Sequence, residues 1–397
     1  MFELLIFLLI GVFLGVLTGL TPGIHTNLLA VFLISFSPFL LNYFQPISIV
    51  VLIVSMGLTN TFIDAIPSIY LGAPDEENSL SVLPGHKMLM EGKGHEAVFS
   101  TLVGSIIAII IFLIITPLLI YVLPKIENFI EKMMAFFLIW AAIFLLIKEE
   151  ERKKSFIIFA LSGVLGIASM NLSINQPLLP LLTGLFGTST LFYSISRNSS
   201  PPKQIIEKNK INLKEIKKPF IITAIISPIC SFLPGMGASQ SAIIGTSFLK
   251  KISQKEFLIL VGSVNTLVLS VSFLILYLTN KKRSGLANTI SQLMVLGQKE
   301  IFYIILTIIL TTVICIFLTI KISKFFAKNI TKINYTKLSI IILILLFVIV
   351  FLISGFMGLL VLISSTILGL TTNFLGVRKG LLMGCLMIPT IFWYLPF

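Results

Sequence analysis

A proline–glycine pair set inside a membrane-length apolar run constrains this chain more than any other feature. Residues 4–44 would be one hydrophobic stretch but for Gly-Leu-Thr-Pro-Gly-Ile-His-Thr-Asn at 19–27. Pro22 removes a backbone donor and its ring clashes with the preceding turn, while Gly23 tolerates positive φ, so a helix entering this segment ends there. The amides and carbonyls released at such a break find no partner in lipid. They must be enclosed by protein or line a polar cavity. Thr21, His25, Thr26 and Asn27 supply polarity at the break itself. The same device returns at 233–241 as Leu-Pro-Gly-Met-Gly-Ala-Ser-Gln-Ser. Interruptions at corresponding places in two halves of a membrane protein point to a transporter's binding site.

Composition agrees with a chain that lives in lipid. Of 397 residues, 56% are hydrophobic and 11% charged, less than half the roughly 25% charged fraction of soluble domains. No part is long or polar enough for a soluble domain. The opening Met-Phe-Glu lacks a basic leader, so the first apolar run is expected to be retained rather than cleaved. A net charge of +13 reads here as a cytoplasmic excess of Lys and Arg, not as affinity for nucleic acid. Cys230, Cys315 and Cys385 fall in apolar segments without metal or disulfide spacing, and read as small core residues.

Apolar runs fall at about 2–20, 26–42, 45–72, 97–123, 131–147, 155–170 and 177–195, then at about 219–234, 238–249, 256–279, 301–320, 338–353, 354–372 and 380–397. Several are shorter than the ~20 residues a full crossing needs, which implies half-helices or pairs broken in mid-membrane. Seven segments in each half would give the halves opposite orientations. The halves also align. With an offset of 212, Pro22, Gly23 and Ala30 meet Pro234, Gly235 and Ala242; with an offset of 205, Gly57, Asn60 and Thr61 meet Gly262, Asn265 and Thr266. The expected fold is therefore an all-α polytopic membrane protein of two inverted-topology repeats, 1–196 and 219–397. A basic linker at 197–218 joins them, and the Pro-Gly-broken helices meet near the bilayer midplane. Placing that linker, with its seven Lys or Arg, in the cytoplasm leaves Lys125, Lys132, Lys281, Lys282, Arg283 and Lys299 outside.

Three stretches could carry chemistry. Gly11, Gly15, Gly19 and Gly23 recur at four-residue spacing, a small-residue face suited to close helix packing in lipid. Gly57, Asn60, Thr61, Asp64 and Ser68 share one helical face in apolar surroundings. A carboxylate at membrane depth costs several kcal/mol unless paired, protonated or hydrated, so Asp64 is a candidate for holding a coupling cation. The competing reading makes it a cap on a helix end broken at Pro67. Left unpaired, it would be kept neutral by desolvation, which favours H⁺ over Na⁺ as the coupling ion. Residues 72–97 hold His86, His95 and five acidic residues, but their spacing matches no compact metal-ligand motif. No cofactor is expected beyond the coupling ion. No Arg sits in the middle of an apolar run, so an anion would rely on helix N-termini, hydroxyls and amides, with His25 or Lys87 in support. Neither a phosphate-binding Gly-x-x-x-x-Gly-Lys-Ser/Thr loop nor a Gly-x-Ser-x-Gly elbow occurs.

Gly-Leu-Thr-Pro-Gly at 19–23, the Gly-x-Pro segment with its acidic and small residues at 72–79, Pro-Gly-His-Lys-Met at 84–88 and Leu-Pro-Gly-Met-Gly-Ala at 233–238 together resemble the large membrane subunit of the tripartite tricarboxylate transporters. The resemblance covers most of the chain. It implies a multi-pass permease of a prokaryotic cell membrane that takes up carboxylates by ion-coupled transport. It also implies two partners, a small membrane subunit and an extracytoplasmic binding protein. The sequence reading is a secondary transporter of a di- or tricarboxylate-like anion. A translocase of a lipid-linked phosphate is the alternative, and a membrane-embedded enzyme comes third. The expected substrate site comprises Thr21, Pro22, Gly23, His25, Thr26, Asn27 and Asn60 from the first half, with Pro234, Gly235, Gly237, Ser239, Gln240 and Asn265 from the second. Asp64 is assigned to ion coupling. Single cysteines introduced at Lys203 and Lys214 should react with membrane-impermeant maleimide only from the cytoplasmic side. Labelling from outside intact cells would overturn the topology.

Overall fold

Polar side chains and close-packed glycines belong inside a membrane protein, and smooth apolar helices belong at its lipid face. The elements sort in that way. The computed structural model of the protein describes residues 2–21, 26–71, 82–147, 149, 151–196, 202–206, 212–231, 238–247, 252–332, 335–377 and 379–395. Among these the regular structure is helical throughout, and seven helices are long and apolar enough to cross a membrane. This is an all-α polytopic membrane protein.

The first half runs α1 (Phe2–Leu20), α2 (Thr26–Leu40), α3 (Pro46–Ile63), α4 (Ala65–Tyr70), α5 (Val82–Met90), α6 (Gly94–Ile147), α7 (Arg152–Asn171), α8 (Leu178–Leu182), a π-helical turn at Thr183–Thr188, and α9 (Ser189–Ser196). The second runs α10 (Leu213–Ser231), α11 (Ala238–Ser247), α12 (Gln254–Thr279), α13 (Gly285–Leu293), α14 (Gln298–Asn329), α15 (Tyr335–Phe374), a 3₁₀ turn at Lys379–Met383, and α16 (Gly384–Tyr394). Local chemistry fixes several of these ends. Pro46 opens α3, where its missing N–H costs nothing. At the head of α12 the Glu256 amide donates to Ser253 Oγ at 3.2 Å, and the Ser253 amide to Glu256 Oε2 at 2.8 Å, a reciprocal cap. Asn280 closes α12 in the left-handed conformation, φ 55°.

Two of the expected boundaries came out differently from each other. Gly355, at φ 67°, divides α15 where the sequence separates 338–353 from 354–372. The apolar runs 97–123 and 131–147, by contrast, belong to one unbroken α6 of 54 residues. Pro117 and Pro124 each remove a single N–H without ending that helix, and the charged residues between the runs are good helix formers. At 1.5 Å per residue α6 is about 80 Å long, more than twice the hydrocarbon thickness.

At the centre lie α3 with α4, buried along their whole length, and α12, buried along nearly all of it. α15 is the most lipid-facing of the long helices. The packing partners are reciprocal: α1 lies on α3 as α10 lies on α12, α6 lies on α12 while α14 lies on α3, and the nine-residue helices α5 and α13 each touch the central helix of the other half. Directions follow from the contacts. Gly11 meets Leu52 and Ser55, Gly15 meets Met56 and Thr59, and Gly19 meets Ile63, so α1 runs parallel to α3. Thr223 meets Ser263 and Lys218 meets Glu256, so α10 runs parallel to α12. Between the central helices Gly57 meets Leu269, Thr61 meets Thr266 and Asp64 meets Asn265. That order is antiparallel, and Thr61 and Thr266 are equivalent under the offset of 205.

The small-residue face of α1 does what its spacing predicts. A Cβ on Gly15 would stand 2.5 Å from the Met56 carbonyl oxygen. At Gly104 of α6 the same test brings a Cβ to 2.1 Å from the Ile259 carbonyl oxygen of α12. In both cases the obstacle is main chain, so the helices themselves would have to separate. Gly104→Ala should destabilise the purified protein by about 1–3 kcal/mol, read as a lower melting temperature in detergent. Leu9→Ala, on the half-exposed lipid face of α1, should change it little.

Candidate functional site

The central crossing gathers the polar residues of α3 and α12 into one buried layer. Asn60, Thr61 and Asp64 come from the end of α3, and Asn265 and Thr266 from the middle of α12; none is more than 3% exposed. Asp64 stands at the joint of α3 and α4, with its amide donating to the Asn60 carbonyl at 2.9 Å. Its φ of −60° and ψ of −23° keep the chain in the right-handed helical region. The helix therefore bends through Pro67 instead of breaking there. The Asp64 carboxylate makes no capping bond to α4. It turns across the interface, where Oδ2 accepts from Asn265 Nδ2 at 3.1 Å.

Beside that pair Thr266 Oγ1 donates to Thr61 Oγ1 at 3.2 Å, and Thr61 passes its own proton to the Leu58 carbonyl at 2.8 Å. The Ser68 hydroxyl donates to the Asp64 carbonyl at 2.8 Å. The hydroxyls of the layer are thus committed in a fixed direction. The side-chain carbonyl oxygens of Asn60 and Asn265 are buried and accept no hydrogen bond. The layer contains one carboxylate and two carboxamide oxygens, hard donors by type. Oxygen donors of this kind suit a hard cation.

The first break begins against this layer. Gly19 packs so closely on Ile63 that a Cβ there would stand 3.3 Å from the Asp64 amide nitrogen. Thr21, half-buried, spends its hydroxyl on the Leu17 carbonyl at 2.8 Å, and Thr26 is buried at the head of α2. Pro22, Gly23, His25, Pro234, Gly235 and Gly237 lie outside the described residues. Asn27 falls in α2, and Ser239 and Gln240 in the first turn of α11, but their side chains lie outside the description. The expected meeting of the two breaks therefore falls outside it too. Of the expected site residues, the structure brings Asn60, Asp64 and Asn265 together.

Two features are hard to read from the sequence as site elements. Thr61 and Thr266 stand out there as a repeat identity, and the direct contact between them needs the crossing geometry. Lys379 is fully buried while Lys87 is exposed on α5; an Arg-Lys pair between Gly376 and an apolar run is the available signal. If Asn265 serves Asp64 as described, Asn265→Leu should destabilise the protein by about 1–3 kcal/mol, because a buried carboxylate loses its donor. Adding Asp64→Leu should then cost less than it does alone, a coupling readable in a double-mutant cycle of melting temperatures.

The arrangement can be set beside known proteins. The chain is 27% identical over 401 residues to the uncharacterized protein MJ1079 of Methanocaldococcus jannaschii, an alignment covering 98% of this chain and 99% of that one. No solved structure matches it. Residues 5–384 match the tripartite tricarboxylate transporter TctA family, a span that takes in every element from α1 to the head of α16. The protein belongs to the TctA family of tripartite tricarboxylate transporters.

Proposed function

We propose that this protein is a secondary-active transporter in a prokaryotic cell membrane that takes up an organic anion of the di- or tricarboxylate class together with a cation. The observation that carries this reading is the buried contact between Asp64 and Asn265 at the antiparallel crossing of α3 and α12. An ionisable residue inside the membrane marks an ion or substrate path unless structure alone accounts for it, and the cap reading does not account for this one. Family membership supports the anion class. The reciprocal packing of the halves supports two inverted repeats rocking about the central layer, the mechanism of many secondary transporters. On the same reading a small membrane subunit and an extracytoplasmic binding protein are the partners.

The donor set favours Na⁺ over H⁺. The proton reading required an unpaired Asp64, and Asn265 donates to it. The two carboxamide oxygens of Asn60 and Asn265 would complete a coordination shell that a proton does not need. The enzyme reading has one observation to answer, the contact of His95 Nδ1 with Ser323 Oγ at 2.8 Å. Both residues are buried, and Ser323 lies within α14, its carbonyl accepting from Tyr70 OH at 3.3 Å. A nucleophile needs an open approach for a reacting carbonyl and a third group to orient its base. This pair is instead a clasp between the start of α6 and α14.

Right-side-out vesicles carrying the protein, with its small subunit and binding protein where the genome encodes them, provide the test. Labelled citrate or succinate should accumulate against its gradient when Na⁺ is high outside, and a pH gradient alone should not replace Na⁺. Asp64→Asn should abolish accumulation while sparing exchange of substrate across the membrane. Accumulation that persists in Asp64→Asn with unchanged ion dependence would remove Asp64 from coupling. Failure of every carboxylate to move would remove the function.

A further inference from the structure

Lys379 is a buried lysine held by a hydroxyl. It opens the 3₁₀ turn that leads into α16 and is 4% exposed. Its ammonium donates to Thr190 Oγ1 at 2.6 Å, and Thr190 passes its own proton to the Phe186 carbonyl at 2.5 Å. An ammonium carries three donors, and this contact uses one. Among the described residues no carboxylate forms an ion pair with it. The ion pairs that are present, Lys93–Glu91, Lys154–Glu151, Lys218–Glu256 and Lys255–Glu96, involve other residues.

The ionisable group that feels Lys379 is His86 on α5. Burial holds the His86 imidazole below its ordinary pKa, and the charge of Lys379 lowers it further, against a hydrogen bond with the Ile69 backbone that raises it. Thr190 lies two residues beyond the π-helical turn at Thr183–Thr188, a departure from α-geometry that is frequent at functional sites. The turn is held tightly against α15, where a Cβ on Gly369 would stand 2.4 Å from the Leu185 carbonyl oxygen.

We propose that Lys379, held by Thr190, forms an anion site that takes a carboxylate or phosphate oxygen where α9 and the 379–383 turn meet. The inference rests on the transporter reading and deepens it. It supplies a fixed positive charge for the anion, apart from the carboxylate layer at Asp64. An uncompensated ammonium in the interior is costly, and a bound oxyanion offsets that cost. The two remaining ammonium donors are the groups that would receive it.

The test uses the full chain, purified in nanodiscs and melted in citrate, inorganic phosphate or chloride at matched ionic strength. The wild type should be stabilised by citrate or phosphate over chloride. Lys379→Met should melt higher than the wild type without added anion, because a buried charge is gone. It should also need at least about tenfold more citrate or phosphate for any shift, a change equivalent to ~1.4 kcal/mol. Thr190→Val provides a second variant that keeps the lysine, and its shift should weaken in the same sense. Nanodiscs containing a polyprenyl phosphate separate the sources: a shift there and not with citrate assigns the oxyanion to a lipid headgroup, and the reverse assigns it to a free carboxylate. A wild type no more stable in citrate, phosphate or polyprenyl phosphate than in chloride, or a Lys379→Met variant with an undiminished shift, overturns the site. If the shift is lost in Lys379→Met and the wild type moves no carboxylate, the anion site stands and the transport reading falls. If uptake is present with unchanged KM in Lys379→Met, the reverse holds.

Discussion

Lipid offers no hydrogen bonds, so each polar group in a membrane helix must find its partner inside the protein. The rest of this structure depends on that constraint. Only helices shielded on every side can carry side chains such as Asn60, Asp64 and Asn265, and α3 and α12 are the shielded ones. Their crossing is where Asn265 donates to Asp64. The hydroxyls show the same economy: Thr18, Ser55, Thr101 and Ser169 each return to a carbonyl three residues earlier on their own helix. Such local bonds keep polar atoms satisfied without linking helices. Bonds that cross between helices, Asn265 to Asp64 and Thr266 to Thr61 among them, are the ones that fix how the helices meet.

Shielding in turn requires helices that come close enough to exclude lipid. Without a hydrophobic driving force between helices in a bilayer, dispersion contacts must do most of the holding, and they reward close approach. Glycines make that approach possible on both sides of the centre. Gly11, Gly15 and Gly19 seat α1 on α3, and Gly104 and Gly262 seat α6 and α12 on each other, with Gly262 facing the Thr101 carbonyl. The Ser105 hydroxyl then reaches the Gly262 carbonyl at 3.3 Å, a bond that a side chain at position 262 would obstruct. Packing and polarity are thus one problem: the glycines enclose the helices whose asparagines and aspartate could not stand in lipid.

Much of this is legible in the sequence because it rests on local rules. Apolar length gives a polytopic helical protein, four-residue glycine spacing gives the α1 face, and helical periodicity alone puts Asn60, Thr61 and Asp64 on a shared face. What a sequence does not carry is which face meets which. Asp64 can be read as a cap because Pro67 follows it, and only the crossing with α12 shows the carboxylate turned toward Asn265. The continuity of α6 is hidden for a related reason: a polar interruption between two apolar runs looks the same whether the chain turns there or stays helical. Lys379 is hidden by its type. In a chain with 29 Lys and Arg and a strong cytoplasmic bias, one more lysine at the edge of an apolar run counts toward topology, and burial is what sets it apart.

The most informative departure from symmetry lies at position 64. The two halves match at Gly57 and Gly262, at Asn60 and Asn265, and at Thr61 and Thr266, yet the counterpart of Asp64 under the same offset is Leu269. Leu269 packs beside Gly57, about two helical turns along α3 from Asp64, so the layer holds one carboxylate. The layer thus carries a single carboxylate together with two buried asparagines. Lys379 departs from symmetry in the same sense, since it is the one fully buried Lys or Arg among the described residues. On the proposed reading, a central layer that carries a cation needs an anion held elsewhere, because a cavity cannot neutralise a multivalent anion by helix ends alone, each worth roughly half a unit of charge. The duplicated framework would then supply the moving scaffold, and its two unduplicated charges, Asp64 and Lys379, the selectivity for what moves through it.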